Sequence, residues 1–220
     1  MAKEQPDTTD RLRDAITGGT FLPRQRLIEA DLEGFLGATR LAIRQALLIL
    51  EQEGLVVREP NRGATVRSVS DEEAVEIVEL RSAIEPLVAG HAALNATKHD
   101  VDALLKIIGV LETQYSAHDL LAYAETNVRL HNEIIRIANH RLGTRLLRNL
   151  RSQLVSYQYH TVLRPGRAPC SVEEHRALFA AIAAGDQKAA EVAMRTHLEH
   201  AAEALKADIK ERGARRSAHH

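Results

Sequence analysis

The sequence predicts a mainly α-helical chain in two parts: a small N-terminal helical unit closed by a β-hairpin, then an all-α bundle. Three observations carry this prediction. The chain of 220 residues has only 3% aromatics, no Trp, twelve Gly and six Pro, and long runs of Ala, Leu, Glu and Arg, the residues that favour helices. Apolar residues recur at helical spacing through most of its length. Only one stretch, "LVVREPNRGATVRSV", reads as paired β runs. A hydrophobic content of 45% over this length supports one large core or two modest ones. Cys170 stands alone, so no disulfide forms within the chain. No apolar run reaches the ~18 residues of a membrane span. The first residues, "MAKEQPDTTDRLRD", lack the apolar centre of a secretory signal. The expected compartment is therefore the cytoplasm.

Charge gives no global hint of a partner, because 29 Lys plus Arg oppose 30 Asp plus Glu. Residues 1–69 are balanced too, with ten basic and ten acidic side chains. Placement is more informative. Between residues 24 and 67 all seven basic side chains are arginine, whose planar fork suits phosphates and guanine edges.

The first helix is expected after a cap at Asp7, Thr8 or Thr9, with Leu12, Ala15 and Ile16 inward and Gly18-Gly19 as its stop. After Pro23, "LIEADLEGFLG" predicts a second helix with Ile28, Leu32 and Phe35 on one side, closed by Gly37. Thr39 is the expected cap of a third, running to about Glu53, with Ile43, Ala46, Leu47 and Leu50 as the buried stripe and Gly54 as its stop. Arg40 and Arg44 lie one turn apart on the other face. Strands at Leu55–Arg58 and Ala64–Arg67 follow, joined by a turn with Pro60, Asn61, Arg62 and Gly63.

Two short helices, the second bearing arginines in its opening turns, followed by an arginine-tipped hairpin, make a winged helix-turn-helix over residues 1–69. In that fold the Arg40–Arg44 face enters a major groove, and Arg62 reaches a phosphate or the minor groove. The stretch resembles the DNA-binding domain of the GntR family of bacterial transcription regulators. The resemblance is carried by Glu29, by Thr39-Arg40-Leu41-Ala42-Ile43-Arg44-Gln45-Ala46-Leu47, by Leu50, by Gly54-Leu55-Val56 and by Arg62-Gly63. It implies that Thr39, Arg40, Leu41, Arg44, Arg62 and Gly63 contact DNA. Three positions depart from the family pattern: Arg24 follows Pro23 where a Gly is usual, Ala42 replaces the usual Pro, and the second helix reads Leu-Glu-Gly rather than Leu-Ala.

Ser70 with Glu73 three residues on predicts a capping box opening the second part, which spans residues 70–212 ahead of a polar tail at 213–220. About six helices are expected there, near 71–97, 99–115, 117–139, 141–162, 171–184 and 186–211, with "RPGRAPC" as the one obvious break. Helical bundles place ligands and metals between their helices.

Eleven histidines are many, yet His91, His99, His118, His140 and His160 read as surface or capping residues, and His219 and His220 end the tail. Three others stand apart. "NVRLH" sets Asn127 and His131 at i and i+4, "EEHRAL" holds His175 and "MRTHLEH" holds His197. Spacing across separate helices does not decide whether they converge. The region resembles the FCD ligand-binding domain of the FadR subfamily of GntR regulators, in many of which an Asp four residues before a His, with two later His, holds a divalent metal. That resemblance implies Asn127, His131, His175 and His197 as ligands, with Asn127 standing where Asp is usual. It also covers Arg81 and Glu85 in "LRSAIEPLVAGHAA".

Three imidazoles and an oxygen suit zinc or nickel, with positions left for a small carboxylate. Arg81 is the candidate to pair with a second acidic group of that effector. The expected function is thus a homodimeric regulator of palindromic operator DNA, responsive to an organic or sugar acid. The rival is a metal-dependent enzyme on a helical bundle. Its motifs are missing: His-Glu-x-x-His does not occur, and no Glu lies three residues before His131, His175, His197 or His200.

Overall fold

The computed structural model describes residues 7–59, 63–154, 157, 161–162 and 164–217. Two compact units divide the chain. The first comprises the residues up to Ser70 and a short piece that starts at Arg151, and the second the remainder.

The first unit begins with α1, Thr8–Thr17, which buries Leu12 and Ile16 and ends at Gly18. Helix α2, Glu29–Leu36, stops at Gly37 in the left-handed conformation, and α3 spans Arg40–Gln52. The four residues expected as the inner stripe of α3, Ile43, Ala46, Leu47 and Leu50, are all buried. Burial of each large aliphatic side chain contributes roughly 1.5–3 kcal/mol. Thr39 caps the helix by accepting a hydrogen bond from Ala42 N at 3.3 Å. Ala42 thus supplies an N–H that the family's usual proline lacks, and the cap uses it.

The stripe expected on α2 is corrected. Its buried residues are Leu32 and Leu36, whereas Ile28 and Phe35 are exposed. Ile28 has extended backbone angles and sits at the cap, outside the helical turn that would aim it inward. Phe35 instead packs edge-on against Phe21, with ring centroids 5.3 Å apart.

The hairpin is present as β2, Val56–Glu59, and β3, Gly63–Val66, paired antiparallel with Val56 opposite Val66 and Glu59 opposite Gly63. A third strand, β1 at Arg26–Leu27, was not expected and pairs with the other edge of β3. Just before it, Arg24 adopts a positive φ of 68°. A left-handed bend is needed there, which explains why glycine is usual at this position.

The helices after Ser70 are α4 (Asp71–Asn95), α5 (Lys98–Ser116), α6 (Leu120–Ala138), α7 (Arg141–Gln153), α8 (Arg167–Ala183) and α9 (Gln187–Ser217), all in the second unit but for the end of α7 from Arg151. Helix α4 packs along α9 and α6, α5 lies on α6 and α8, and α8 lies on α9. Leu104, Leu111, Leu130, Ile134, Leu147, Leu178, Met194 and Leu198 fill the space between them. Among the described residues no helix is long and apolar enough to cross a membrane.

Two expected boundaries move. The helix expected over 141–162 is interrupted by a turn at Leu154. Helix α8 starts at Arg167 instead of 171, so the last four residues of "RPGRAPC" are helical. Gly166, with φ 81°, makes the bend before it, and Pro169 falls in the first turn, where no intrahelical N–H is required.

Candidate DNA interface and candidate metal centre

Helix α3 buries one face and leaves the other in solvent. Arg40 and Arg44 keep 59% and 57% of their side-chain surface, and Leu41 beside them is exposed as well. The arginines are held by the acids of α2. Arg44 Nε donates to both Glu29 carboxylate oxygens at 3.0 Å, and Arg40 Nε donates to Glu33 Oε1 at 3.0 Å. Such exposed pairs are weak and screened by salt, so a phosphate can replace the carboxylate. Glu29 thereby spaces and orients the two forks without locking them. Gly63 opens β3 with a φ of 85° and open space around it, so the wing turns there in a conformation that favours glycine. Arg62 lies outside the described residues.

In the second unit three histidines from three helices converge. His131 of α6, His175 of α8 and His197 of α9 are 2%, 1% and 4% exposed, and each offers a ring nitrogen within 4.8 Å of the others. His131 Nε2 and His197 Nε2 face each other at 3.2 Å. On the far side of each ring stands a carboxylate: Glu85 Oε2 lies 3.0 Å from His131 Nδ1, and Glu174 Oε2 lies 2.7 Å from His197 Nδ1. An ionised carboxylate only accepts hydrogen bonds, so each Nδ1 carries the proton and each Nε2 turns a lone pair into the shared space.

Two lone pairs pointed at each other repel unless a cation lies between them. Their separation is less than twice the ~2.1 Å bond from an imidazole nitrogen to a zinc-type ion, so one ion fits both. His175 adds a third donor, for neither of its buried ring nitrogens has a hydrogen-bond partner among the described residues. Asn127 Oδ1, one turn before His131 on α6, is also buried without a hydrogen-bond partner among the described residues. The donor set therefore fits a divalent ion of the zinc or nickel kind, and the carboxylates behind His131 and His197 are the support such ligands require.

The electrostatics keep the rings ready. Burial, reinforced by the charges of neighbouring His and Arg167, pushes the His175 pKa well down. Burial also lowers that of His197, against the upward pull of Glu174. For Glu174 burial pushes upward, but hydrogen bonds from His197 and Arg167 outweigh it and bring the carboxyl down to about 2. Neutral imidazole beside ionised carboxylate is the protonation pattern that metal binding needs.

The comparisons with known proteins follow this division of the chain. The family model "Bacterial regulatory proteins, gntR family" matches residues 6–66, and the "FCD domain" model matches residues 76–200, more than half of the chain. The chain belongs to the GntR family. This GntR regulator with a C-terminal FCD domain is 25% identical over 205 residues to the uncharacterized HTH-type transcriptional regulator YdhC of Bacillus subtilis, covering 92% of this chain and 91% of YdhC. It is 24% identical over 195 residues to the HTH-type transcriptional repressor RspR of Escherichia coli, covering 89% and 86% of the two chains. Among solved structures, Escherichia coli McbR/YncC superposes with a TM-score of 0.78 at 20% identity, covering 92% of this chain and 96% of that one. The family is one of transcriptional regulators and not of enzymes.

Within this GntR regulator the three imidazoles come together as a cluster, while Thr39 serves as a helix cap and the two α3 arginines face outward. Arg81 reaches the site indirectly: its Nε donates to Glu85 Oε1 at 2.6 Å, and Glu85 in turn holds His131. His140, read as a surface or capping residue, caps α7 by accepting from Gly143 N at 3.0 Å. Sequence reasoning missed Glu174, which binds both His197 and His200, and Arg167, which donates to Glu174 at 2.8 Å. Glu174 had a signal, since it directly precedes His175. Arg167 had none, because its segment read as a helix break.

Proposed function

We propose that this chain is a metabolite-responsive regulator of the FadR subfamily, which binds palindromic operator DNA as a cytoplasmic homodimer. Its bundle holds a divalent ion through His131, His175, His197 and the Asn127 oxygen, and that ion, zinc or nickel, supplies Lewis acidity toward a small organic or sugar acid. The observation that supports this reading is the pair of facing Nε2 atoms with the unpartnered His175 beside them. Buried polar groups left without partners are costly, and a ligand that satisfies several at once removes that cost.

The residues divide the work. Glu85 and Glu174 hold protons on the outer ring nitrogens, and Arg81 holds Glu85 in place through a hydrogen bond to its other oxygen. Arg81, whose charge Glu85 balances, is the candidate partner of an acidic group of the effector. In the first unit Arg40 and Arg44 read the major groove, Thr39 and Leu41 frame them, and Arg62-Gly63 forms the wing contact. One domain touches few base pairs, so a two-fold pair on two half-sites supplies both affinity and sequence choice. The effector regulates only through unequal affinity for the DNA-competent and incompetent arrangements.

The test is a thermal-shift screen of organic and sugar acids with and without chelator. Stabilisation that disappears on chelation is expected. Acids that stabilise equally after the metal is stripped overturn the metal-dependent pocket.

A further inference from the structure

The helices that carry the imidazoles bear further polar residues along the same faces. On α6, Tyr123, Asn127 and His131 follow one another at four-residue steps, and on α8 Arg167, Ser171 and His175 do the same. Each stripe runs from a polar residue at one end to an imidazole at the other. Arg167 is 8% exposed. Its Nη2 donates to Glu174 Oε2 at 2.8 Å and to the His197 carbonyl at 3.3 Å, and lies 3.4 Å from His197 Nδ1. The other nitrogen of the fork, Nη1, is buried with no hydrogen-bond partner among the described residues.

Tyr123, fully buried, likewise has a hydroxyl without a hydrogen-bond partner among the described residues. Burial pushes its phenol pKa up. Ser171 and Arg167 are near enough to offset part of that shift, although Ser171 lies outside hydrogen-bond geometry with it. Two unsatisfied donors, one of them charged, thus stand close to the imidazole cluster, and both suit an oxyanion.

Charge gives the same answer. Arg81 with Glu85 and Arg167 with Glu174 cancel pairwise, and an imidazole must be neutral to bind a metal. Asn127 contributes an amide where the family's usual carboxylate would bring a negative charge. A divalent cation bound among these buried side chains is therefore left with two uncompensated positive charges, and only an anionic ligand offsets them.

Resting on the metal-dependent reading above, we propose that Arg167 Nη1 and the Tyr123 hydroxyl form a second anion subsite, so that the effector is a dianion spanning from the imidazole end to Arg167. The test uses zinc-loaded full-length protein. Calorimetric titrations compare malonate, succinate, glutarate and adipate with the monocarboxylates of the same carbon number, and metal content is measured alongside. In the wild type at least one diacid binds about tenfold or more tightly than its matched monoacid. Arg167→Lys keeps the charge but removes the fork, and cuts that ratio to about threefold or less with zinc still bound.

Asn127→Asp adds one negative charge and narrows the ratio too, which keeps the test decisive if Arg167→Lys fails to fold. Zinc retained by the wild type with no diacid preference overturns the second subsite alone, as does a preference that either folded variant leaves at full size. Failure of the wild type to hold zinc overturns the metal-dependent reading itself, and this subsite with it.

Discussion

At the scale of single residues, the chemistry of the bundle depends on which ring nitrogen carries the proton. Glu85 and Glu174 settle that for His131 and His197, so removing either carboxylate is expected to weaken metal binding although no direct ligand is lost. For Glu174→Ala the expected loss in zinc affinity, measured by competition with a chelating dye, is about tenfold to a hundredfold. Unchanged affinity would show that the carboxylate only fills space. On the DNA side, Arg44→Ala is expected to weaken retardation of a palindromic operator by about tenfold or more while the helical signal stays intact. The three histidines were legible because their segments match a family pattern. Glu174 was legible only as the neighbour of His175 and Arg167 not at all, because both reach a side chain on α9 across the bundle and spacing within α8 does not name that partner.

At the scale of elements, capping and backbone conformation decide more than propensity. Helix α3 was legible in full, since thirteen residues give several turns over which the apolar period repeats. Helix α2 has eight residues, too few for the period to fix the inner face, and β1 has two, which carry no period at all. Arg24 holds a left-handed conformation that glycine adopts without strain. Arg24→Gly is therefore expected to raise stability by up to about 1 kcal/mol in chemical denaturation, net of glycine's larger unfolded-state entropy; a loss of stability would contradict the strain.

Helix α5 opens with a capping box in which Thr97 and Asp100 exchange bonds. The Asp100 carboxyl is brought down to about 2, first by the Thr97 hydroxyl and backbone N–H and then by Arg136. A carboxyl with a depressed folded pKa stabilises fully above its unfolded value of ~3.9, and the benefit fades as pH falls toward 2. The stability gap between wild type and Asp100→Asn in urea titrations should thus be widest above pH ~4 and close as the pH drops. A gap that persists at low pH would mean that the cap acts through its geometry alone.

At the scale of the whole molecule, one chain carries two chemistries, guanidinium groups exposed on α3 and imidazoles enclosed between α6, α8 and α9. The near-zero net charge concealed the first of these, because Glu29 and Glu33 sit against Arg40 and Arg44. Overall charge is thus a poor guide where acids on a neighbouring helix hold basic forks in position. A ligand bound only by the folded bundle stabilises it by mass action, by about 2.7 kcal/mol at a hundred times its Kd, so loading and stripping the site should shift the melting of the second unit. The account depends most on what those imidazoles hold. Elemental analysis of protein purified from metal-replete culture should find about one divalent ion per wild-type chain and none in His131→Ala. A wild-type chain that carries no ion under those conditions contradicts the account.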